Sequence, residues 1–158
     1  MYAKPLLRLA ACLVLCFCVA GLGAIATAPK IATWYAALQK PSFTPPNAIF
    51  PIVWNVLYAL MAFSLWRLWQ APRGGMRPRA ITLFLLQLAV NLAWSWIFFD
   101  AESIRGGLST ILALDVLVAM TILAAWKVDR FAASLLLPYL LWIGYATALN
   151  AGIASLNP

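Results

Sequence analysis

The 158-residue chain has no histidine and only four acidic residues, Asp100, Glu102, Asp115 and Asp129. Without an imidazole there is no His-ligated haem and no Cys/His metal centre. No nucleophile with its base, no paired carboxylates and no glycine-rich phosphate loop are present either, so neither catalytic nor metal-binding residues are assigned. Cysteine is scarce and confined to Cys12, Cys16 and Cys18, all inside one apolar run. An odd number with none in a loop excludes a disulfide framework, and the three are read as small buried hydrophobes. Charge is the largest deficit: 9% of residues are charged against 65% hydrophobic. With a mean hydropathy of +0.92, the chain is excluded from the class of ordinary soluble domains.

What is present is lipid-soluble sequence cut by short polar turns. Uncharged or nearly uncharged runs at about 9–28, 48–66, 80–99, 106–126 and 132–154 are each long enough to cross a hydrocarbon core of roughly 30 Å. The expected fold is therefore an all-α membrane protein, a bundle of five transmembrane helices in a single domain over 1–158. The first run follows Lys4 and Arg8 and ends in Ala26, Thr27 and Ala28, as a signal peptide would. It is longer than the usual signal core, so retention is expected. Pro138 inside the fifth run predicts a local bend, which lipid tolerates if neighbours satisfy the freed carbonyls.

Five spans put the termini on opposite sides. Lys4, Arg8, Arg67, Arg73, Arg77, Arg79, Lys127 and Arg130 fall on one side, and Lys30, Lys40 and Arg105 on the other. That asymmetry predicts a cytoplasmic N-terminus for this multi-pass protein, and a bacterial cell membrane is its expected location. The basic residues sit at the ends of apolar runs and form no patch, so they are read as headgroup anchors, and no nucleic-acid partner is expected.

The connection at 29–47 is unusual for its density of Pro, Trp, Tyr and Phe. Pro41, Pro45, Pro46 and Pro51 fix φ and remove donors, so no regular helix starts before Pro51. The segment is stiff, and Trp34 and Tyr35 anchor its start at the interface. Gln87, Asn91 and Ser95 recur every four residues beside Trp94 and Phe98; Tyr139, Trp142, Ala146, Leu149, Asn150 and Ile153 follow the same rhythm, and Trp54 and Tyr58 form an i, i+4 pair. At about 1.5 Å per residue, these faces lie in the half of the bilayer beneath the connection. They suit either helix-to-helix packing or an apolar, aromatic pocket with the connection as its lid. Gly144, Ala148 and Gly152 make a small-residue ridge for close packing. Asp115 is the sole ionisable residue near the middle of a span; with no second charge to relay to, a structural hydrogen bond is expected.

Four blocks in order, WYAALQKPSFTPP at 34–46, VWNVLY ending at Tyr58, QLAVNLAWSWIFF at 87–99 and PYLLWIGYATALN at 138–150, resemble the TspO/MBR group of translocator proteins and tryptophan-rich sensory proteins. The resemblance implies a five-helix homodimer that binds porphyrins of the protoporphyrin IX type, sterols and benzodiazepine-type ligands beneath the first loop. With the indole and Tyr/Phe faces above, it implies a ligand site of Trp34, Trp54, Tyr58, Asn91, Trp94, Phe98, Trp142, Ala146, Leu149 and Asn150. Porphyrin would be a ligand here and no cofactor is implied. The chain reads LNAGIASLNP where the family's sterol motif has a Tyr followed by a basic residue, so that motif is absent. Tetrapyrrole transport or stress sensing is the expected role. The alternatives are an enzyme-like, light- and oxygen-dependent porphyrin degradation, and a dimeric scaffold.

Overall fold

The structure is a computed structural model that describes residues 3–158, and these are helices and connecting turns. Helix α1 spans Ala3–Ile31, the short α2 Trp34–Ala37, α3 Ile49–Gln70, α4 Arg77–Ser95, α5 Ile104–Trp126, α6 Arg130–Ser134 and α7 Leu137–Leu156. A π turn over Trp96–Asp100 extends α4. Five stretches, Lys4–Ile31, Ile49–Gln70, Arg77–Asp100, Ile104–Trp126 and Arg130–Leu156, are long and apolar enough to cross a membrane. Helices are the solution the composition demands, because each closes its own backbone hydrogen bonds in a medium with no water to do so.

The long helices form a closed ring. α1 packs against α3 and α4, α4 against α5, α5 against α7, and α3 meets α4 and α6. At one end Arg8 donates to Gln70 Oε1 at 2.8 Å, Trp66 Nε1 to the Pro5 carbonyl at 3.0 Å, and Arg67 pairs with Asp129 at 2.8 Å. At the other end the last turn of α1 is tied to the α4–α5 connection by Lys30 and Glu102 at 2.7 Å.

Four features differ from the sequence reading. A short helix, α2, forms at Trp34–Ala37 and α3 starts at Ile49, ahead of Pro51, which sits in its first turn, where a missing N–H leaves no hydrogen bond unmade. α1 runs three residues further than the charge-free run, taking Pro29 into its last turn. The fifth span is interrupted where a bend was expected. Asp129 caps α6 by accepting from the Phe131 and Ala132 amides, and α7 starts afresh with Pro138 in its first turn, where a missing N–H leaves no hydrogen bond unmade. Cys12 and Cys16 are buried, but Cys18 is exposed on the outer face of α1, since two residues of helix turn a side chain through about 200°.

An aromatic cleft beneath the first connection

A layer of polar side chains crosses the middle of the bundle. Tyr58 of α3 donates to Asn91 Oδ1 at 2.6 Å, and Asn91 Nδ2 donates to the Tyr139 hydroxyl of α7 at 3.0 Å. Asn91 is 2% exposed, so one amide satisfies two phenols that would otherwise be stranded in an apolar interior. Trp54 lies against the layer, tilted over Tyr58 at 5.7 Å between ring centroids and edge-on to Tyr139 at 6.2 Å.

On the connection's side of this layer the rings dominate. Trp94 stacks on Phe98 at 5.4 Å and 14°, and Phe98 meets Phe99 edge-to-face at 4.9 Å. The π turn makes this possible. Adjacent residues of an α-helix point about 100° apart, yet Phe98 and Phe99 are both buried, because the turn admits one extra residue, with the Ala101 amide bonded to the Trp96 carbonyl. Trp94 Nε1 reaches Asn150 Oδ1 at 3.4 Å, and Asn150 Nδ2 donates to the Ile104 carbonyl at 3.2 Å. α5 comes close enough for this because Gly107 has no side chain: a Cβ there would lie 2.6 Å from Phe98 Cδ2 and 3.2 Å from Asn150 Oδ1.

Two cavities remain between these groups, sharing Pro51, Trp54 and Trp94 as a common wall. One, of about 100 Å³, lies under the connection and is lined by Trp54, Trp94, Phe98, Ala146, Leu149 and Asn150, together with Ile31, Tyr35, Asn47, Phe50, Phe99 and Ile153. The other, of about 180 Å³, lies against α1 and is lined by Tyr58 and Asn91 with Ala20, Gly23, Ala24, Thr27, Asn55 and Ser95. Eight of the ten expected site residues thus line one cavity or both. Trp34 and Trp142 line neither. Trp34 backs the wall, edge-on to Phe98 at 5.4 Å, and Trp142 packs against Phe50 at 5.9 Å and Tyr145 at 5.6 Å. Phe50 takes the place at the cavity that an i+3 projection from Tyr139 assigned to Trp142.

Apart from Ile31, Asn55, Ser95, Phe99 and Ile153, the lining residues absent from the sequence-derived set fall into two groups. Tyr35, Asn47, Phe50 and Pro51 belong to or border the connection, whose path no periodicity reveals. Burial holds the Tyr35 phenol above the ordinary tyrosine range, so it stays neutral, with Lys40 Nζ 4.7 Å from its ring centre. The α1 group, Ala20, Gly23, Ala24 and Thr27, carries a signal that was available: small residues at i, i+3, i+4 and i+7.

The connection is fastened over the cavities. Asn157, beyond the end of α7, acts as a strand would: its Oδ1 accepts from the Gln39 amide at 3.1 Å and its Nδ2 donates to the Gln39 carbonyl at 2.9 Å. Tyr145 donates to the Phe43 carbonyl at 2.7 Å. Pro41 sits on Gly152, where a Cβ would lie 2.4 Å from its Cγ, so this end of the Gly144–Ala148–Gly152 ridge receives the connection. Asp115 accepts from Thr147 at 2.7 Å, a bond between α5 and α7. Among the described residues no three His, Cys, Asp or Glu side chains are grouped to hold a metal.

Comparison with known proteins settles the ancestry of this arrangement. A family model described as the TspO/MBR family matches residues 12–156. The chain belongs to the TspO/MBR family. It is 39% identical over 160 residues to the tryptophan-rich protein TspO of Chlorobaculum tepidum, covering 98% of this chain and 99% of that one. It is also 39% identical over 152 residues to the protein of the same name from Archaeoglobus fulgidus, covering 96% and 98%. With the human translocator protein it shares 39% identity over 120 residues, 74% of this chain and 70% of the human one. The stretch matched by the TspO/MBR model holds every residue that lines the two cavities. Family and five apolar helices together make this a multi-pass membrane protein.

Proposed function

We propose that this TspO/MBR protein is a membrane receptor or carrier for tetrapyrroles of the protoporphyrin IX type, and for related apolar ligands, in the cleft beneath the first connection. The observation that carries this reading is the cleft's lining: the flat faces of Trp54, Trp94 and Phe98 with a few polar groups among them, chiefly the amides of Asn47, Asn55, Asn91 and Asn150. A planar, apolar ligand is held in such a site by burying area against rings, and a few polar groups orient it. Pockets for drug-sized ligands are roughly 300–1,000 Å³, and the two cavities, about 100 and 180 Å³, are each smaller. A macrocycle therefore enters by displacing the shared Trp54–Trp94 wall or lifting the connection, which is the behaviour expected of a carrier or sensor.

Titration of detergent-solubilised protein with protoporphyrin IX tests the reading through tryptophan fluorescence. Saturable quenching that weakens in Trp54→Ala supports it, and absence of saturable quenching overturns it. The same reading includes a bacterial cell membrane with a cytoplasmic N-terminus, supported by the cations gathered at one end of the bundle. Labelling of a single cysteine placed at Arg73 from the cytoplasmic side, with Gln39→Cys labelled from outside, checks it. It also includes a homodimer: Gly144 and Ala148 face outward, with open space where a Gly144 Cβ would stand. Gly144→Leu is expected to abolish cross-linked dimer.

A further inference from the structure

We propose that the groove between α4 and α5 at the basic end of the bundle binds one anionic phospholipid. Arg79 and Lys127 hold the phosphate, and an acyl chain lies along Leu83, Met120 and Leu123. The groove has a volume of about 260 Å³ and these five side chains are among its lining. Their order along the helices matches a lipid's own polarity. Arg79 stands one turn before Leu83 on α4, and Lys127 one turn after Leu123 on α5. Both cations therefore lie toward the interface and the apolar residues toward the hydrocarbon core.

Charge complementarity identifies the occupant. Among the guanidiniums at this end, Arg8 is committed to Gln70, Arg67 to Asp129, and Arg77 to the Leu68 and Trp69 carbonyls, while Arg73 and Arg130 do not line the groove. Among the described residues, Arg79 and Lys127 donate no side-chain hydrogen bond to the protein, though both are exposed. The carboxylate at this end, Asp129, is used by Arg67 and by the first amides of α6. Two free cations above an apolar groove, with no unused acid beside them, fit a lipid phosphate, and basic pockets between helices on the cytoplasmic side hold anionic headgroups elsewhere. A free phosphate would leave the apolar part unused. Leu123 is 68% exposed on a membrane-spanning helix, and a chain laid beside it gives that surface an ordered partner.

Native mass spectrometry of the full chain, released from micelles doped with phosphatidylglycerol or phosphatidylcholine, tests the site. The expected result is one preferentially retained phosphatidylglycerol. Retention should fall about fivefold for Arg79→Gln or Lys127→Gln alone and about thirtyfold for the pair. Arg73→Gln, which removes a cation of the same end outside the groove, should retain lipid as wild type does. Leu123→Trp, which obstructs the chain and leaves both cations, should lower retention, and millimolar inorganic phosphate should not displace the lipid. Equal retention by wild type and the double variant, equal retention of phosphatidylcholine, or full displacement by phosphate would each overturn the assignment.

Discussion

The two halves of the bundle, divided at the Tyr58–Asn91–Tyr139 layer, are built from the same helices and packed in opposite ways. Toward the basic end, Met61, Leu68, Phe84 and Leu136 are fully buried, and the polar Ser64 is satisfied locally by the Ala132 carbonyl at 2.8 Å. Toward the connection Trp34, Trp54, Trp94 and Trp142 are half-buried around the buried Phe98 and Phe99, and the two aromatic-lined cavities lie there. Flexible aliphatic chains interdigitate and fill volume to near crystal density. Stiff rings held edge-to-face leave corners that no neighbour fills. On the proposed reading, one half supplies stability and the other gives up packing for the cleft.

Truncation at the centre of the solid half gives the largest contrast. Phe84→Ala should cost about 3–5 kcal/mol, read as a shift in denaturant-induced unfolding, while porphyrin affinity of the folded fraction stays unchanged. An equal loss of affinity would break the division between halves. At the dividing layer, Asn91→Leu leaves the Tyr58 and Tyr139 hydroxyls without their shared partner and should cost about 2 kcal/mol. The triple variant Asn91→Leu, Tyr58→Phe, Tyr139→Phe should recover much of that, because no polar group is then stranded. In the open half, Trp54→Ala should weaken porphyrin binding about tenfold with a smaller stability loss than Phe84→Ala, checked by fluorescence titration and unfolding on the same preparation. The smallest effect belongs to the fastening of the connection. Asn157→Ala removes two hydrogen bonds to Gln39 and should speed porphyrin release roughly threefold in a stopped-flow chase, with equilibrium stability nearly unchanged. Unchanged release would mean that the connection does not limit exit.

Much of this architecture is legible in the sequence, and the rest is hidden for physical reasons. Span positions follow from hydropathy, because a bilayer penalises every charge and every open backbone group within it. The inward direction of Asn91, Asn150 and the Trp54–Tyr58 pair was legible because polar and aromatic groups at helical spacing inside a span must face the interior. Trp142 was misplaced because periodicity gives a direction on one helix and says nothing of which neighbour stands in front; Phe50, from the first turn of α3, stands there. Phe99 escaped because the π turn shifts register by one residue, which a regular 3.6-residue count does not contain.

Composition and periodicity alone thus determined the all-helical membrane fold, the number of spans, the segregation of basic residues to one end and the half of the bundle that carries the aromatic faces. Each of these depends on solvent exclusion and helix geometry, which act locally. Tertiary structure alone decided that Pro41 docks on Gly152, that Asn157 pairs with Gln39, and that Arg79 and Lys127 share a groove. It also decided that one amide serves two phenols from different helices. Those contacts join residues far apart in the chain, and their partners are set by which helices become neighbours when the ring closes.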